Sequence, residues 1–464
     1  MSDSGLFSEF QGTSRSDWQA KAEKNLRGVP LSDLEHIDED GITIRPYYTE
    51  EDRPPVALRK RPGRGTANIQ EMPVLDEGEA NSAALDYLNR GATGLLFYLL
   101  PEVDLTKLLA EIHPEHCELH FVQEGNGALL AEALGSYYES QGYDHTKCRG
   151  SINVDILENL ARTGDWFKSE DEDWINLTAL VDRVDFAPWK TLCVNANLFN
   201  NAGATPATQV GIALSMLHEY LVRFGEIAAE AHWLNMAVGT DYFHDIAKLR
   251  SVRQLWWFLL EQYEFDAVSY PLHLHVETGL RDKTIYDPYN NMLRNTSASM
   301  AAMVAGADSI SVKPHDVAFK DPTEFSERIA RNIPLILEHE SYFGEFSDPA
   351  AGSYFIENLT AEISKKAWSV FKAIESKGGF VEALKIGWLQ GLIHDQAAAE
   401  NDRVSSSDKK VLGVNLYPKD DEKMSEQVDR AMFCSEPQQD TEVEPIRMQR
   451  WSEALEAKRL NDEA

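Results

Sequence analysis

Short apolar runs alternate with longer amphipathic stretches from about residue 67 onward. Eight runs have the length and composition of β-strands, at residues 94–99, 118–122, 151–156, 191–198, 236–242, 273–278, 309–313 and 342–346. Each run is followed by sequence compatible with a helix, and residues 214–224 and 360–374 carry apolar side chains at helical spacing. Eight such alternations predict an α/β fold of the (β/α)8 TIM-barrel type, with an open doubly wound sheet as the alternative.

The segments on either side of the predicted barrel, residues 67–400, are more polar. Residues 1–66 contain one short helix, expected to begin at Ser16 and to end at Gly28, followed by an extended arm. An arm with so little apolar surface cannot fold alone, so we expect it to wrap the barrel or a partner chain. Residues 401–464 are expected to form a linker and a final helix near residues 446–460.

Composition narrows the classes of partner. The chain has 464 residues, with 76 acidic against 44 basic side chains and a formal net charge of -32. This charge opposes sequence-independent binding to nucleic acid or to an anionic membrane. The four cysteines lack paired spacing, no signal-peptide pattern begins the chain, and no apolar run approaches the roughly 18 residues that span a bilayer. We therefore expect a cytoplasmic protein with neither nucleic acid nor membrane as a partner.

One strand carries candidate metal ligands. His273, His275 and Glu277 alternate, so their side chains point to one face of the strand, which is the lumen if the strand belongs to a barrel. A barrel enzyme with metal on the two histidines is one hypothesis. Later strands carry no matching His or Asp set, so ordinary hydrogen-bonded strand histidines and no bound metal are the expected outcome. Glycine-rich nucleotide loops and a nucleophile-elbow motif are both absent from the sequence.

A polar turn at residues 286–294 joins the His273 strand to a helix of small residues. It contains Asp287, Tyr289, Asn290 and Arg294. Together with residues 201–205, 246–250, 325–332 and 348–354, this run resembles the methylmalonyl-CoA mutase family in order and spacing. The resemblance implies an N-terminal arm, a TIM barrel that threads the acyl-CoA along its axis, a linker and a C-terminal cobalamin-binding domain. Asp287, Tyr289, Asn290 and Arg294 are expected to serve as architecture of the turn.

Several positions depart from the catalytic pattern of that family. Where the pattern has Tyr-His, with the histidine at the substrate thioester, this chain has Asn197 and Leu198. Leucine can neither donate nor accept a proton, so assistance to the thioester oxygen would be lost. We also expect the lumen around Leu198 to be filled by side chains, leaving no room for acyl-CoA. The family's Asp-x-His-x-x-Gly cobalamin motif is missing, because none of the 13 histidines follows an aspartate two positions earlier.

Three further positions replace groups that contact the substrate in the family. Asn153 stands for a glutamine, Thr163 for the arginine that pairs with the substrate carboxylate, and Glu71 for the tyrosine over the radical site. Arg162 lies one residue from the arginine position. A one-residue offset turns a helical side chain by about 100°, so Arg162 is expected to be a poor replacement.

These departures resemble the small, non-catalytic subunit of heterodimeric methylmalonyl-CoA mutase, in a shortened form without the cobalamin-binding domain. The resemblance implies a large catalytic subunit as partner, with adenosylcobalamin bound there and no cofactor or catalytic residue in this chain. The complex would interconvert methylmalonyl-CoA and succinyl-CoA in propionate metabolism. A homodimer is one possible form when the chain is expressed alone, and the sequence leaves the oligomeric state without a partner open. The alternative is a catalytic barrel that borrows a separate cobalamin-binding subunit.

Overall fold

A parallel sheet of eight strands, curled into a barrel, lies at the centre of the chain. The computed structural model describes residues 14–54, 65–184, 189–429 and 440–463. The strands, named β1 to β8 in chain order, are Ala67–Pro73, Gly94–Tyr98, Glu118–Val122, Gly150–Asn153, Leu192–Asn195, His232–Val238, Leu274–Thr278 and Ser309–Ser311. Strand β8 pairs in parallel with β1, which joins the first and last strands of the sheet. The predicted (β/α)8 barrel is therefore confirmed.

The barrel closes weakly between β4 and β5. Backbone pairing there is reduced to one parallel bridge between Ser151 and Lys190. Towards the carboxyl ends of the strands, the side-chain amides of Asn153 and Asn195 hydrogen-bond to each other at 3.1 Å. The backbone N–H of Asn195 also donates to the Asp155 carboxylate at 2.6 Å. Side chains thus complete the closure that backbone pairing leaves unfinished.

Helices surround the sheet and bury its outer face. They are Glu77–Asn89, Leu105–Leu108, Gly127–Gln141, Ile156–Thr163, Glu170–Arg183, Asn197–Ala202, Pro206–Phe224, Glu226–Ala231, Tyr242–Gln262, Asn290–Val304, Glu324–His339, Tyr354–Glu375, Phe380–Lys385, Trp388–Ser405 and Glu453–Glu463. Helix Tyr354–Glu375 packs against Pro206–Phe224. Their close approach requires glycine at Gly211, because a Cβ there would lie 2.7 Å from the Cβ of Val370.

Two strand predictions are wrong. Ala67–Pro73 is a barrel strand that the sequence pattern did not reveal, because its polar Asn68, Gln70 and Glu71 and its terminal proline break the apolar run. Residues 342–346 are not a strand. Phe343–Glu345 forms a single 3-10 turn, entered through Tyr342 at a φ of +58°. The aromatic residues on either side of this turn are exposed on the surface. Their β propensity has no effect there, because they do not pack against a described strand.

Other predicted boundaries move by several residues. The strand predicted at 191–198 ends at Asn195, and a short helix begins at Asn197. The arm helix is Arg15–Asn25, and its N-cap is Ser14 in a capping box with Asp17, instead of the predicted Ser16. The final helix is Glu453–Glu463, later than predicted. For the arm helix, the capping box of Ser14 fixes the start, since several polar residues near that end compete for the role.

The arm lies partly on its own barrel. Asp38 accepts a hydrogen bond from His244 at 2.9 Å, and Asp40 accepts one from the backbone N–H of Ala207 at 2.9 Å. The arm helix, in contrast, has no buried residue. Among the described helices, none combines the length and apolar character needed to cross a bilayer.

Candidate functional site

Aromatic and imidazole rings fill the middle of the barrel. His120 of β3, Trp233 of β6 and His275 of β7 are only 2%, 1% and 1% exposed. The Trp233 and His275 rings stack with centroids 4.8 Å apart, and His120 lies 5.8 Å from Trp233. Apolar neighbours complete this layer, namely Ile69, Leu96 and Cys193. We call His120, Trp233 and His275 the ring plug. An eight-stranded barrel is just wide enough for its side chains to fill, and this one is filled.

The strand histidines have separate partners. His275 Nδ1 lies 2.8 Å from the Ser309 hydroxyl, and His120 Nδ1 lies 2.9 Å from the Ser151 hydroxyl. Burial lowers the pKa of His275 well below its usual range and that of His273 to about 4, so both rings are neutral near pH 7. Across the described ranges, no three His, Cys, Asp or Glu side chains meet in a group that could hold a metal ion. His273, His275 and Glu277 thus share a face without converging.

A buried lysine bridges two carboxylates directly above the ring plug. Lys313 Nζ lies 2.7 Å from Glu71 and 2.8 Å from Glu277. The Tyr98 hydroxyl donates to Glu71 at 3.0 Å, and the Asn197 amide donates to Glu277. Burial alone would lower the pKa of Lys313, but the two carboxylates hold it well above its usual range. Sequence reasoning gave Lys313 no role, because it follows β8 at the end of an ordinary-looking run.

A cavity of about 320 Å³ opens at the carboxyl ends of the strands, where TIM barrels place their active sites. We call it the mouth cavity. Asn153, Asn197 and Glu71, three of the positions predicted to replace family catalytic groups, line it. Burial raises the pKa of Asp155 to about 6 and that of Glu158 to about 7, and both carboxyl groups also line the cavity. The mouth is therefore rich in carboxylates and amides.

The other two replacing positions lie elsewhere. Leu198 is 2% exposed and packs in the core outside the lumen. The Thr163 hydroxyl donates to the Asn159 carbonyl at 2.7 Å and ends its helix without reaching the cavity. Arg162, instead, lines the mouth cavity and donates to Glu158 at 2.8 Å. Arg162 thus reaches the cavity despite its offset of one helical position, but Glu158 already neutralises its charge.

The turn at 286–294 is tied to neighbouring segments. Asp287 has a φ of +49° and accepts from the Asn290 amide at 2.6 Å. Arg294 donates to Thr284 and Asn291, and also to the backbone carbonyl of Leu412 at 2.9 Å. Tyr289 is 65% exposed and its ring stacks on that of His315. Asp287 and Asn290 thus brace the turn itself, Arg294 ties it to the C-terminal linker, and Tyr289 faces outward.

The C-terminal tail crosses the same end of the barrel. Its backbone N–H groups at Val443, Gln449 and Trp451 donate to carbonyls in the loops that follow β4, β5 and β7. Glu456 is 1% exposed, accepts from the backbone N–H of Ile285 at 2.7 Å and pairs with Arg450. A second cavity of about 600 Å³ lies between tail, arm and barrel, beside Trp451. None of the tail residues that the structure describes lines the mouth cavity.

Comparisons with known proteins agree with this architecture. The methylmalonyl-CoA mutase family model matches residues 98–462. The methylmalonyl-CoA mutase small subunit of Porphyromonas gingivalis is 32% identical over 99% of this chain and 78% of its own length. The small subunit of Streptomyces virginiae is 30% identical, covering 89% of this chain and 72% of its own. The methylmalonyl-CoA mutase of Escherichia coli is 28% identical, covering 95% and 69%. The chain belongs to the methylmalonyl-CoA mutase family.

Proposed function

We propose that this chain is the non-catalytic small subunit of a heterodimeric, adenosylcobalamin-dependent methylmalonyl-CoA mutase. Its role is to stabilise a large catalytic subunit, which binds the cofactor and interconverts methylmalonyl-CoA and succinyl-CoA. We place the complex in the cytoplasm, in propionate metabolism. The observation that carries the proposal is the ring plug across the barrel axis.

The ring plug leaves no axial path for a substrate. In a catalytic member of the family, the acyl-CoA is expected to lie along this axis. Here the Trp233 and His275 rings are in stacking contact, and each is 1% exposed. Opening such a path would require both rings to leave a close-packed layer, which loses their packing contacts and leaves a cavity behind them.

The charge of the mouth also opposes a methylmalonyl group. Its free carboxylate would meet Glu71, Glu277 and Asp155 at the cavity wall. Lys313 is already held by Glu71 and Glu277, and Arg162 by Glu158. Without an uncommitted cation, the carboxylate of the acyl group gains no charge-assisted hydrogen bond to offset its desolvation.

The N-terminal arm provides a surface for a partner. Its helix buries no residue, and Trp18, Leu34 and Ile37 are 43%, 47% and 73% exposed. An isolated helix shorter than roughly 12–15 residues is marginal in water, so an additional surface is expected to hold Arg15–Asn25. Several relatives carry the name small subunit, and a large-subunit partner supplies such a surface.

The competing hypothesis, a catalytic barrel that borrows a separate cobalamin-binding protein, is less well supported. Such a protein would have to reach the carboxyl ends of the strands. The tail already occupies part of that end, through backbone hydrogen bonds at Gln449 and Trp451 and the buried Glu456. The ring plug would still exclude the substrate.

Co-expression tests the proposal. The chain is produced with the large mutase subunit from the same organism, and each chain is also produced alone. We expect a 1:1 complex by size analysis, mutase activity that requires the large subunit, and none from this chain with adenosylcobalamin. Turnover by this chain alone, or on mixing with only a small cobalamin-binding protein, would overturn the proposal.

A further inference from the structure

Buried polar atoms without a partner surround the mouth cavity. Trp233 Nε1, Asn235 Oδ1 and His275 Nε2 have no hydrogen-bond partner among the described residues, and all three side chains line the cavity. They are 1%, 6% and 1% exposed. Leaving a buried polar group unpaired costs about 1–3 kcal/mol, so three around one cavity point to something that pairs with them when bound.

The cavity also carries an excess of negative charge. Five carboxyl groups line it, those of Glu71, Glu124, Asp155, Glu158 and Glu277. Among the lining residues, only Arg162 is cationic. Lys313 pairs with the carboxylates of Glu71 and Glu277 but is not itself one of the lining residues. The Glu71 Oε1 and Gln123 Oε1 atoms are buried acceptors that likewise lack partners among the described residues. The unsatisfied groups are thus mostly acceptors in a negative field.

We propose that the mouth cavity binds a small organic cation, a primary amine or guanidine with several N–H donors. Such a group satisfies the free oxygens of Glu71, Gln123 and Asn235 and neutralises part of the carboxylate charge. Tyr98 is 42% exposed at the cavity wall and offers an aromatic face to a cation. A cavity of about 320 Å³ is at the small end of ligand sites, which suits a ligand of few atoms.

The carboxyl groups make this binding pH-dependent. Burial, against the opposing charge of Arg162 and with the added charge of Asp155, raises the pKa of Glu158 to about 7. A bound cation favours the ionised form of these groups. Binding therefore tightens as the pH rises through about 7, and uptake of the cation releases protons.

Titration calorimetry with agmatine, which carries an amine and a guanidinium group, tests the proposal. The sample is the full chain, and glutarate of similar length but opposite charge is titrated in parallel. We expect one agmatine per chain, tighter at higher pH, and no glutarate binding. The proposal is overturned if agmatine gives no heat of binding, if its affinity does not change with pH, or if glutarate binds equally well.

Variants locate the site. Glu158→Gln removes a wall charge and frees Arg162, so agmatine should bind at least about tenfold more weakly, a change of about 1.4 kcal/mol. Asn235→Asp adds a negative charge at an unpartnered acceptor and should tighten binding. Glu132→Gln, on the exposed face of helix Gly127–Gln141, is the matched control and should bind as the parent does. Equal agmatine affinity in all four proteins would overturn the proposal, and circular dichroism confirms that each variant is folded.

Discussion

Lys313 is the side chain that links the carboxylates of Glu71 and Glu277 inside this barrel. It is buried between Glu71 and Glu277, and its side chain is 16% exposed. Sequence comparison singled out Glu71 as a replacement for a catalytic tyrosine, and the structure supplies the reason that glutamate is tolerated there. The carboxylate accepts hydrogen bonds from Lys313 and Tyr98. The ion pair therefore gives a charged side chain at this position a partner of opposite charge.

Removing Lys313 should destabilise the fold. Lys313→Met leaves two carboxylates facing each other in a poorly hydrated layer, and we expect a loss of about 3 kcal/mol in the free energy of unfolding. Urea unfolding measures it. Lys147→Met is the matched control, since Lys147 is 63% exposed beside Asp144 and should change stability by only about 0.5 kcal/mol. Equal losses in the two variants would contradict a structural role for the Lys313 bridge.

His244 joins the arm to the barrel through a pair of acids. Burial would lower its pKa, but hydrogen bonds and charge from Asp241 and Asp38 outweigh it and raise the pKa to about 10. The raised pKa means that protonated His244 stabilises the folded state fully below its unfolded pKa of about 6.5. This stabilisation is lost progressively as the pH rises from there through about 10.

The consequence can be measured by hydrogen exchange. Amides of the arm near Asp38 and Ile42 should exchange faster, after correction for intrinsic rates, as the pH rises towards about 10. Both residues lie in the loop that His244 holds. His244→Gln keeps a hydrogen bond but cannot be charged, so arm protection should be weaker and no longer depend on pH in this window. Unchanged pH dependence in that variant would contradict the assignment.

At the scale of elements, the tail helix Glu453–Glu463 depends on one buried acid. Glu456 receives the Ile285 backbone N–H and the Arg450 guanidinium within a contact that is almost fully buried. Tyr286 and Glu463 add a second hydrogen bond at 2.6 Å. The polar turn after β7 is thus held by residues more than 150 positions later in the chain.

Breaking this contact should release the tail. Glu456→Ala leaves the buried Arg450 guanidinium without its carboxylate partner and removes the acceptor of the Ile285 N–H. We therefore expect the docked tail to lose about 3 kcal/mol of stability. Hydrogen exchange at residues 281–286 should accelerate, while exchange in β1 to β3 stays unchanged. Asp462→Ala, at an exposed position of the same helix, is the control. Exchange at residues 281–286 that stays at the parent's rate in Glu456→Ala would show that the tail is held by other contacts.

At the scale of the whole molecule, the chain is a mutase-type barrel whose axis is filled by side chains and whose arm helix has no buried residue. The main core lies between sheet and helices, and a separate smaller core fills the lumen. The arm helix adds apolar surface that its own barrel does not cover. These features favour a role through association, in line with the proposed function.

The arm helix should matter for assembly more than for folding. Trp18→Ala should weaken binding to the large subunit by at least about tenfold, because buried tryptophans are frequent hot spots of interfaces. The unfolding temperature of the isolated chain should not change. Ile175→Ala, which removes a 66% exposed apolar side chain from helix Glu170–Arg183, is the control. Surface plasmon resonance measures the affinity of each variant for the large subunit. Equal affinities of the two variants would exclude the arm helix from the interface.

The sequence by itself determined the class of fold and the family. Periodicity is a local property, so seven of the eight strands could be predicted, and motifs such as residues 286–294 keep their order whatever they contact. Only the tertiary structure decided what fills the lumen. Glu71, Trp233, His275 and Lys313 come from four different strand segments, and no local pattern brings them together.

The same limit explains the errors. The polar side chains of β1 fit a strand only because the barrel gives them a lumen to face. Residues 342–346 have the composition of a strand, but none of the described strands pairs with them, and a 3-10 turn forms there. Arg162 reaches the mouth because of how its helix sits on the barrel, which helical spacing alone does not specify. Strand pairing and side-chain direction depend on contacts between distant segments, so they are settled by the closed barrel and not by any stretch of the chain.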